Sequence, residues 1–222
     1  AGGRLDRVLN RGDAYVGVLV DDLVLHGVTE PYRMLTARAE HRLTLRADNA
    51  GLRLTDRGIA WGCVGPLRAS RHAAFAAAVR DALARAAAST ATPADLAAAG
   101  LPIRQDGRHR SALEVLALPD VTLAMAAAAF PWLADLPAGV VAQLEAEALY
   151  APYLRRQDAE RRLLEREERL AIPSDLDFAA IPGLSAEMRQ RLARSRPASL
   201  GSAGRVPGIT PAAIAALAVH LR

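Results

Sequence analysis

Six arginines (Arg33, Arg38, Arg42, Arg46, Arg53 and Arg57) fall between Arg11 and Gly58, with acids interspersed. The guanidinium group is a planar fork that grips phosphate or a buried carboxylate through two parallel hydrogen bonds. Packing an amphipathic helix does not ask for so many forks at near-regular spacing. The stretch therefore points to anion recognition or to internal ion pairing, and Glu30, Glu40 and Asp48 stand ready as partners for Arg33, Arg38 and Arg42. Every basic residue of the chain is arginine, which a GC-rich genome accounts for. Position, not number, has to carry the argument.

A second group lies at the end of the chain. From Ser185 to Arg222, Arg189, Arg191, Arg194, Arg196, Arg205 and Arg222 face a single acid, Glu187, although the whole chain nets only +4. Such an end attracts polyanions or an acidic protein surface, unless it is simply a solvated face. The same region holds an echo, Ile181-Pro182-Gly183-Leu184-Ser185 and Val206-Pro207-Gly208-Ile209-Thr210. Helix-hairpin-helix modules use a similar turn to aim backbone N–H groups at a nucleic-acid phosphate. Pro-Gly followed by a capping hydroxyl is equally an ordinary way to start a helix.

Other chemistry is missing. There is no GxGxxG, no Walker-type loop and no metal-ligand constellation. His26, His41, His72, His109 and His220 are scattered. Asp21 and Asp22 are neighbours on a helix, about 100° apart, so they cannot act as an acid/base pair on one atom; a satisfied polar position suits at least one of them better. The lone Cys63, in WGCVG, excludes an internal disulfide and reads as turn or core packing. No catalytic, cofactor-binding or metal-ligating residue is identified. No apolar span approaches ~20 residues, so a soluble, cytoplasmic chain without membrane contact is expected.

The elements that must position these arginines are mostly helices. Asp13 is predicted to cap a helix running to about His26 and ending at Gly27. Residues 31–55 mix a helix-compatible stretch with short alternation, and are the expected home of any strand. Asp48-Asn49 reads as a turn, and Thr55 as the cap of a short helix ending near Gly62. From Pro66 to about Phe130 the chain is alanine-rich and helical. Thr92 starts one helix that Gly100 stops, Ser111 to Glu114 is a capping box, and a loop joins them. A long helix begins near Pro137, is expected to kink or break at Pro152, and carries Asp158–Arg162, Arg161–Glu165 and Glu165–Arg169 at i,i+4 spacing. Ser185 and Thr210 should cap two helices of the tail. The fold class expected is mainly α: residues 1–65 a small mixed α/β segment, 66–172 a helical domain with a long kinked helix, 173–222 a compact helical subdomain. With 51% hydrophobic residues but only 4% aromatics, its core should be thin helix-on-helix packing rich in alanine.

The segment AYVGVLVDDLVLHGVTEPYRMLTARAEHRLTLRADNAGLRLT and the tail IPSDLDFAAIPGLSAEMRQRLARSRPASLGSAGRVPGITPAAIAALAVHL resemble the C-terminal part of the MnmG/GidA family of bacterial tRNA-modifying flavoproteins. The EPYRM, SRAEYRL and DNADLRL patterns of that family match Glu30, Pro31, Tyr32, Arg33, Arg38, Glu40, Arg42, Arg46, Asp48, Asn49 and Arg53. His41, Ala47, Gly51, Leu149 and Pro152 depart from it. The resemblance implies a dimeric parent enzyme that binds FAD, uses NADH and works with the GTPase MnmE. Together they place an aminomethyl or carboxymethylaminomethyl group on C5 of the tRNA wobble uridine. It also implies tRNA contact by Arg33, Arg38, Arg42, Arg46 and Arg53, and tRNA or partner contact by Arg189, Arg191, Arg194, Arg196 and Arg205. The family's flavin-binding region and reactive cysteines lie upstream of the matched segment. A C-terminal fragment, inactive alone and without tightly bound flavin, is therefore expected. A module that docks the GTPase without touching RNA is the alternative.

Overall fold

The computed structural model describes residues 7–27 and 30–221, with backbone only for 155–165 and 167–169. The chain forms two compact units, Arg46–Arg156 and the combination of Ala1–Leu45 with Gln157–Arg222. Both are helical, as the pattern predicts.

The unit Arg46–Arg156 begins with α2 (Ala50–Ala60) and α3 (Pro66–Ala88). Two-residue strands β1 (Thr90–Ala91) and β2 (Arg110–Ser111) pair antiparallel, Thr90 opposite Ser111 and Ala91 opposite Arg110. Each strand runs straight into a capped helix, α4 (Pro93–Ala98) after β1 and α5 (Ala112–Leu116) after β2. The capping box expected at Ser111 and Glu114 is present, and the helix start expected at Thr92 also proves to be one, reciprocal with Asp95. Gly100, at a φ of 82°, ends α4 as predicted. Helix α6 (Leu123–Ala129), a 3-10 turn over Pro131–Asp135 and the long helix α7 (Ala138–Arg169) follow. Leu96, Val115, Phe130, Leu133 and Leu144 are buried together with Ala86, Ala112, Ala126 and Ala148. The alanines let helices approach closely at the cost of little buried area each, the thin core anticipated from composition.

Three expectations are corrected in the first sixty residues. Helix α1 (Tyr15–His26) does end at Gly27, but its N-cap is Ala14, which provides no side-chain bond. Asp13 instead accepts from the backbone N–H of Asn10 at 2.9 Å, closing the turn before the helix. No strand forms between residues 31 and 55 among the described residues; a 3-10 turn over Thr36–Arg38 and further turns lead into α2. The alternating Leu52-Arg53-Leu54-Thr55 is helical because Thr55 is buried and Leu52 packs on Val79, Ala82 and Val140, a three-residue spacing that a strand would split across two faces. Thr55 is therefore inside α2, not its cap. The turn at Asp48-Asn49 is present.

Pro152 does not break α7, which runs on to Arg169. Proline removes one backbone N–H, leaving the carbonyl of Ala148 without its usual partner, but the turns on either side keep theirs. The i,i+4 pairs expected at Asp158–Arg162, Arg161–Glu165 and Glu165–Arg169 lie outside the described side chains.

In the other unit, Val18 of α1 packs with Ala39 and Leu45. The tail contributes α8 (Ala186–Ser195), α9 (Leu200–Gly204) and α10 (Pro211–His220) around Ile181, Leu184, Leu192, Leu200 and Leu217. Ser185 and Thr210 cap α8 and α10 as expected, accepting from Met188 and Ala213. Gly183 and Gly208 take φ of 87° and 82°, so both Pro-Gly turns require glycine.

Candidate nucleic-acid interface

Helix α1 presents Asp21 and Asp22 to a set of guanidinium groups, and this fixes which arginines are available to a ligand. Arg11, only 6% exposed, is the hub. Its Nη1 donates to Asp22 at 2.7 Å and to Asp21 at 3.2 Å, while Nε and Nη2 donate to Glu40 at 3.2 and 2.9 Å. Nη2 also reaches the carbonyl of Arg38 at 2.7 Å. Asp22 accepts from the Tyr32 hydroxyl at 2.5 Å and from Arg38 Nε. Burial works against its charge, but the bonds from Tyr32, Arg38 and Arg11 prevail and hold its carboxyl at about 2. Asp21 receives a fork from Arg205, Nε at 2.8 Å and Nη2 at 2.9 Å. Both acids are thus satisfied structurally, and Arg205 is committed to one of them.

Arg46 and Arg53 are committed in the other unit. Arg46, 8% exposed, puts Nε and Nη2 on Asp48 at 3.1 and 3.0 Å, and Nη2 on Glu147 at 2.6 Å. Its guanidinium lies 4.3 Å from the centre of the Tyr150 ring. Arg53 donates to Asn49 Oδ1 at 2.7 Å. In the tail, Arg191 bridges Glu187 at 2.6 Å and the carbonyl of Pro207 at 2.6 Å. Arg196 donates to Ser174 O at 2.6 Å, and Arg189 to Ile181 O at 3.3 Å.

Three of the predicted arginines remain exposed without any ion pair or hydrogen bond among the described residues: Arg33, Arg42 and Arg194. Arg38 is bound to Asp22 yet keeps 44% of its side chain exposed. The fold brings Arg33, Arg38 and Arg194 to one cleft of about 690 Å³, walled by Pro31, Tyr32 and Leu35. Glu30 is the acid that lines it, and His26 closes the α1 end. Arg42 is not among the cleft residues. The expected partners Glu30, Glu40 and Asp48 do not take Arg33, Arg38 and Arg42: Glu40 goes to Arg11, Asp48 to Arg46, and Arg38 to Asp22. The hub itself, Arg11, escaped the sequence reading because it stands apart from the regular arginine spacing.

Residues 67–158 match the family of the tRNA modifying enzyme MnmG/GidA C-terminal helical domain, and residues 160–222 the MnmG/GidA C-terminal helical bundle. The chain belongs to the MnmG/GidA family. It is 50% identical over 219 residues to the tRNA uridine 5-carboxymethylaminomethyl modification enzyme MnmG of Granulibacter bethesdensis, covering 98% of this chain and 35% of that one. It is 41% identical over 220 residues to the MnmG of Zymomonas mobilis, covering 99% and 35%. The structure of Aquifex aeolicus GidA in its form II crystal superposes with a TM-score of 0.83 at 32% identity, over 96% of this chain and 33% of that one. The chain thus spans about a third of the length of these MnmG/GidA relatives.

The flavin dinucleotide implied by the resemblance needs a strand, a glycine-rich turn and a helix N-terminus to cradle its pyrophosphate. The described residues form no such unit, the sheet being two antiparallel two-residue strands, and they do not fit FAD. Among the described residues no three His, Cys, Asp or Glu side chains could hold a metal, and no helix is long and apolar enough to cross a membrane.

Proposed function

We propose that this chain is the tRNA- and partner-binding C-terminal region of a FAD- and NADH-dependent enzyme that, with the GTPase MnmE, modifies C5 of the tRNA wobble uridine. Residues 173–222 serve as its docking subdomain. The observation that carries the reading is the convergence of Arg33, Arg38 and Arg194 on one cleft, in a chain whose relatives are tRNA uridine modification enzymes. Arg33 and Arg194, which have no internal partners among the described residues, are the ones a phosphate backbone can recruit without first breaking an ion pair, while Arg38 keeps its bond to Asp22 and adds charge beside them. The committed arginines, Arg46 and Arg205 above all, act by holding the scaffold.

The test is tRNA binding by the purified chain over a range of salt. Binding should weaken with a log–log slope of roughly −0.7 to −0.9 for each phosphate neutralised, and the preparation should be colourless. A chain that ignores tRNA in dilute buffer but captures the GTPase in a pull-down would make it a protein-docking module instead. A yellow preparation with stoichiometric flavin would overturn the assignment of cofactor binding to another part of the enzyme.

A further inference from the structure

The cleft is amphipathic in a way that phosphate binding alone does not require. Its guanidinium groups share the space with an apolar wall made by Pro31, the Tyr32 ring and Leu35, the last 51% exposed. The Tyr32 ring is held by its hydroxyl, which donates to Asp22 at 2.5 Å. Burial and the Asp22 carboxylate both push that phenol above its ordinary pKa, so it stays a donor at neutral pH. On the same ring, the guanidinium of Arg38 lies 5.9 Å from the centroid. A fixed aromatic face beside exposed guanidinium groups, of which Arg33 and Arg194 carry no ion pair among the described residues, is the pairing used to bind single-stranded nucleic acid, where bases stack while cations track the backbone. Duplex RNA offers phosphates and 2′-hydroxyls on a convex surface and hides its base faces, so it leaves such a wall unused. A volume of about 690 Å³ falls within the range of pockets that enclose a small ligand, and is too small for a helix.

The geometry points to a site for an unpaired nucleotide, with Arg33 and Arg194 on its backbone phosphate and the base or ribose against Tyr32, Pro31 and Leu35. The inference rests on the tRNA-binding reading and deepens it, because it says that the part of the RNA held here is single-stranded. Arg38 plays a second part: anchored by Asp22, it closes one side of the ring and presents positive charge without having to be ordered on binding.

A fluorescent single-stranded oligouridine tests it, with anisotropy read in low salt. The chain should bind this oligomer, and an RNA duplex of equal length should compete at least about tenfold less well. The double variant Arg33→Ala/Arg194→Ala should lose about tenfold or more in affinity for the oligomer. Both residues are exposed and unpaired among the described residues, so its thermal melting should match the parent. Tyr32→Leu should weaken binding by a similar factor, and Tyr32→Phe, which keeps the ring, by less. Arg71→Ala, at an exposed arginine of α3, is the control for bulk charge and should bind as the parent does.

Equal competition by duplex, an equal loss in the Arg71 variant, or displacement of the oligomer by a glutamate-rich peptide would each overturn the inference. If the parent chain binds no tRNA at all, the underlying functional reading has failed. If tRNA binds the parent and the double variant alike, only the nucleotide site has failed.

Discussion

Arg46 and Arg33 come from the same arginine-rich stretch, yet they end in opposite conditions. In the unit Arg46–Arg156, Arg46 is buried between Asp48 and Glu147 and stacked on Tyr150. In the other unit, Arg33 lies open in a cleft beside Arg38 and Arg194. The residue type is the same, and the surroundings decide its role. A guanidinium that meets two carboxylates and an aromatic face inside the fold becomes a structural pin. One that meets no carboxylate in an ion pair among the described residues is, on the proposed reading, open to an external anion. The hub at Arg11 belongs with the pins, though it sits in the unit that carries the cleft.

The sharpest way to break this contrast is Arg11→Ala. It removes one of the three donors to the buried Asp22, leaving Tyr32 and Arg38, and with it the bonds to Asp21, Glu40 and the Arg38 carbonyl, so it should cost about 3–4 kcal/mol in urea unfolding. An unfolding midpoint unchanged from the parent would show that the network is not a structural pin. Arg46→Ala should cost less, about 1.5–3 kcal/mol, because Asp48 and Glu147 reach solvent and can rehydrate. Gly208→Ala should cost about 1–2 kcal/mol, since that position has a φ of 82° and an added Cβ would lie 2.7 Å from Arg191 Nη1. Smallest of all, Arg33→Ala/Arg194→Ala should stay within about 0.5 kcal/mol of the parent in the same assay. A large loss of stability there would erase the distinction between pin and ligand arginine.

Acid titration sharpens the same comparison. The Asp22 carboxyl sits at about 2 in the fold against an ordinary 3.8, so its folded value is depressed. The stability it supplies is therefore fully present above pH 3.8 and is lost as pH falls toward 2. Asp22→Asn should flatten that part of the acid unfolding curve, while Arg33→Ala should leave the curve where it was. Equilibrium unfolding at pH 5 and at pH 2.5 checks both.

Local signals were legible in the sequence and long-range ones were not. The capping boxes at Thr92 and Ser111, the caps at Ser185 and Thr210 and the stops at Gly27 and Gly100 are each set by residues within a turn of one another. Asp13 failed as a cap because Asn10, three residues back, took its carboxylate first. Thr55 failed because it is buried inside α2, a helix whose sequence also alternates and whose Leu52 packs on α3. The candidate site was legible as a set of arginines but not as a place. Which arginines stay free depends on partners such as Glu147, 101 residues from Arg46, and Asp21, 184 residues from Arg205. No local pattern reports pairings at that distance. The family resemblance supplied the setting in RNA modification, and the cleft needed the fold.

The fork from Arg205 to Asp21 has a consequence for how the chain comes into being. During synthesis Asp21 of α1 precedes Arg205 by 184 residues, so the fork between them cannot close until the tail has been translated. For most of that interval Asp21 has only water and Arg11 for company, so this clasp belongs to the last steps by which the newborn polypeptide matures.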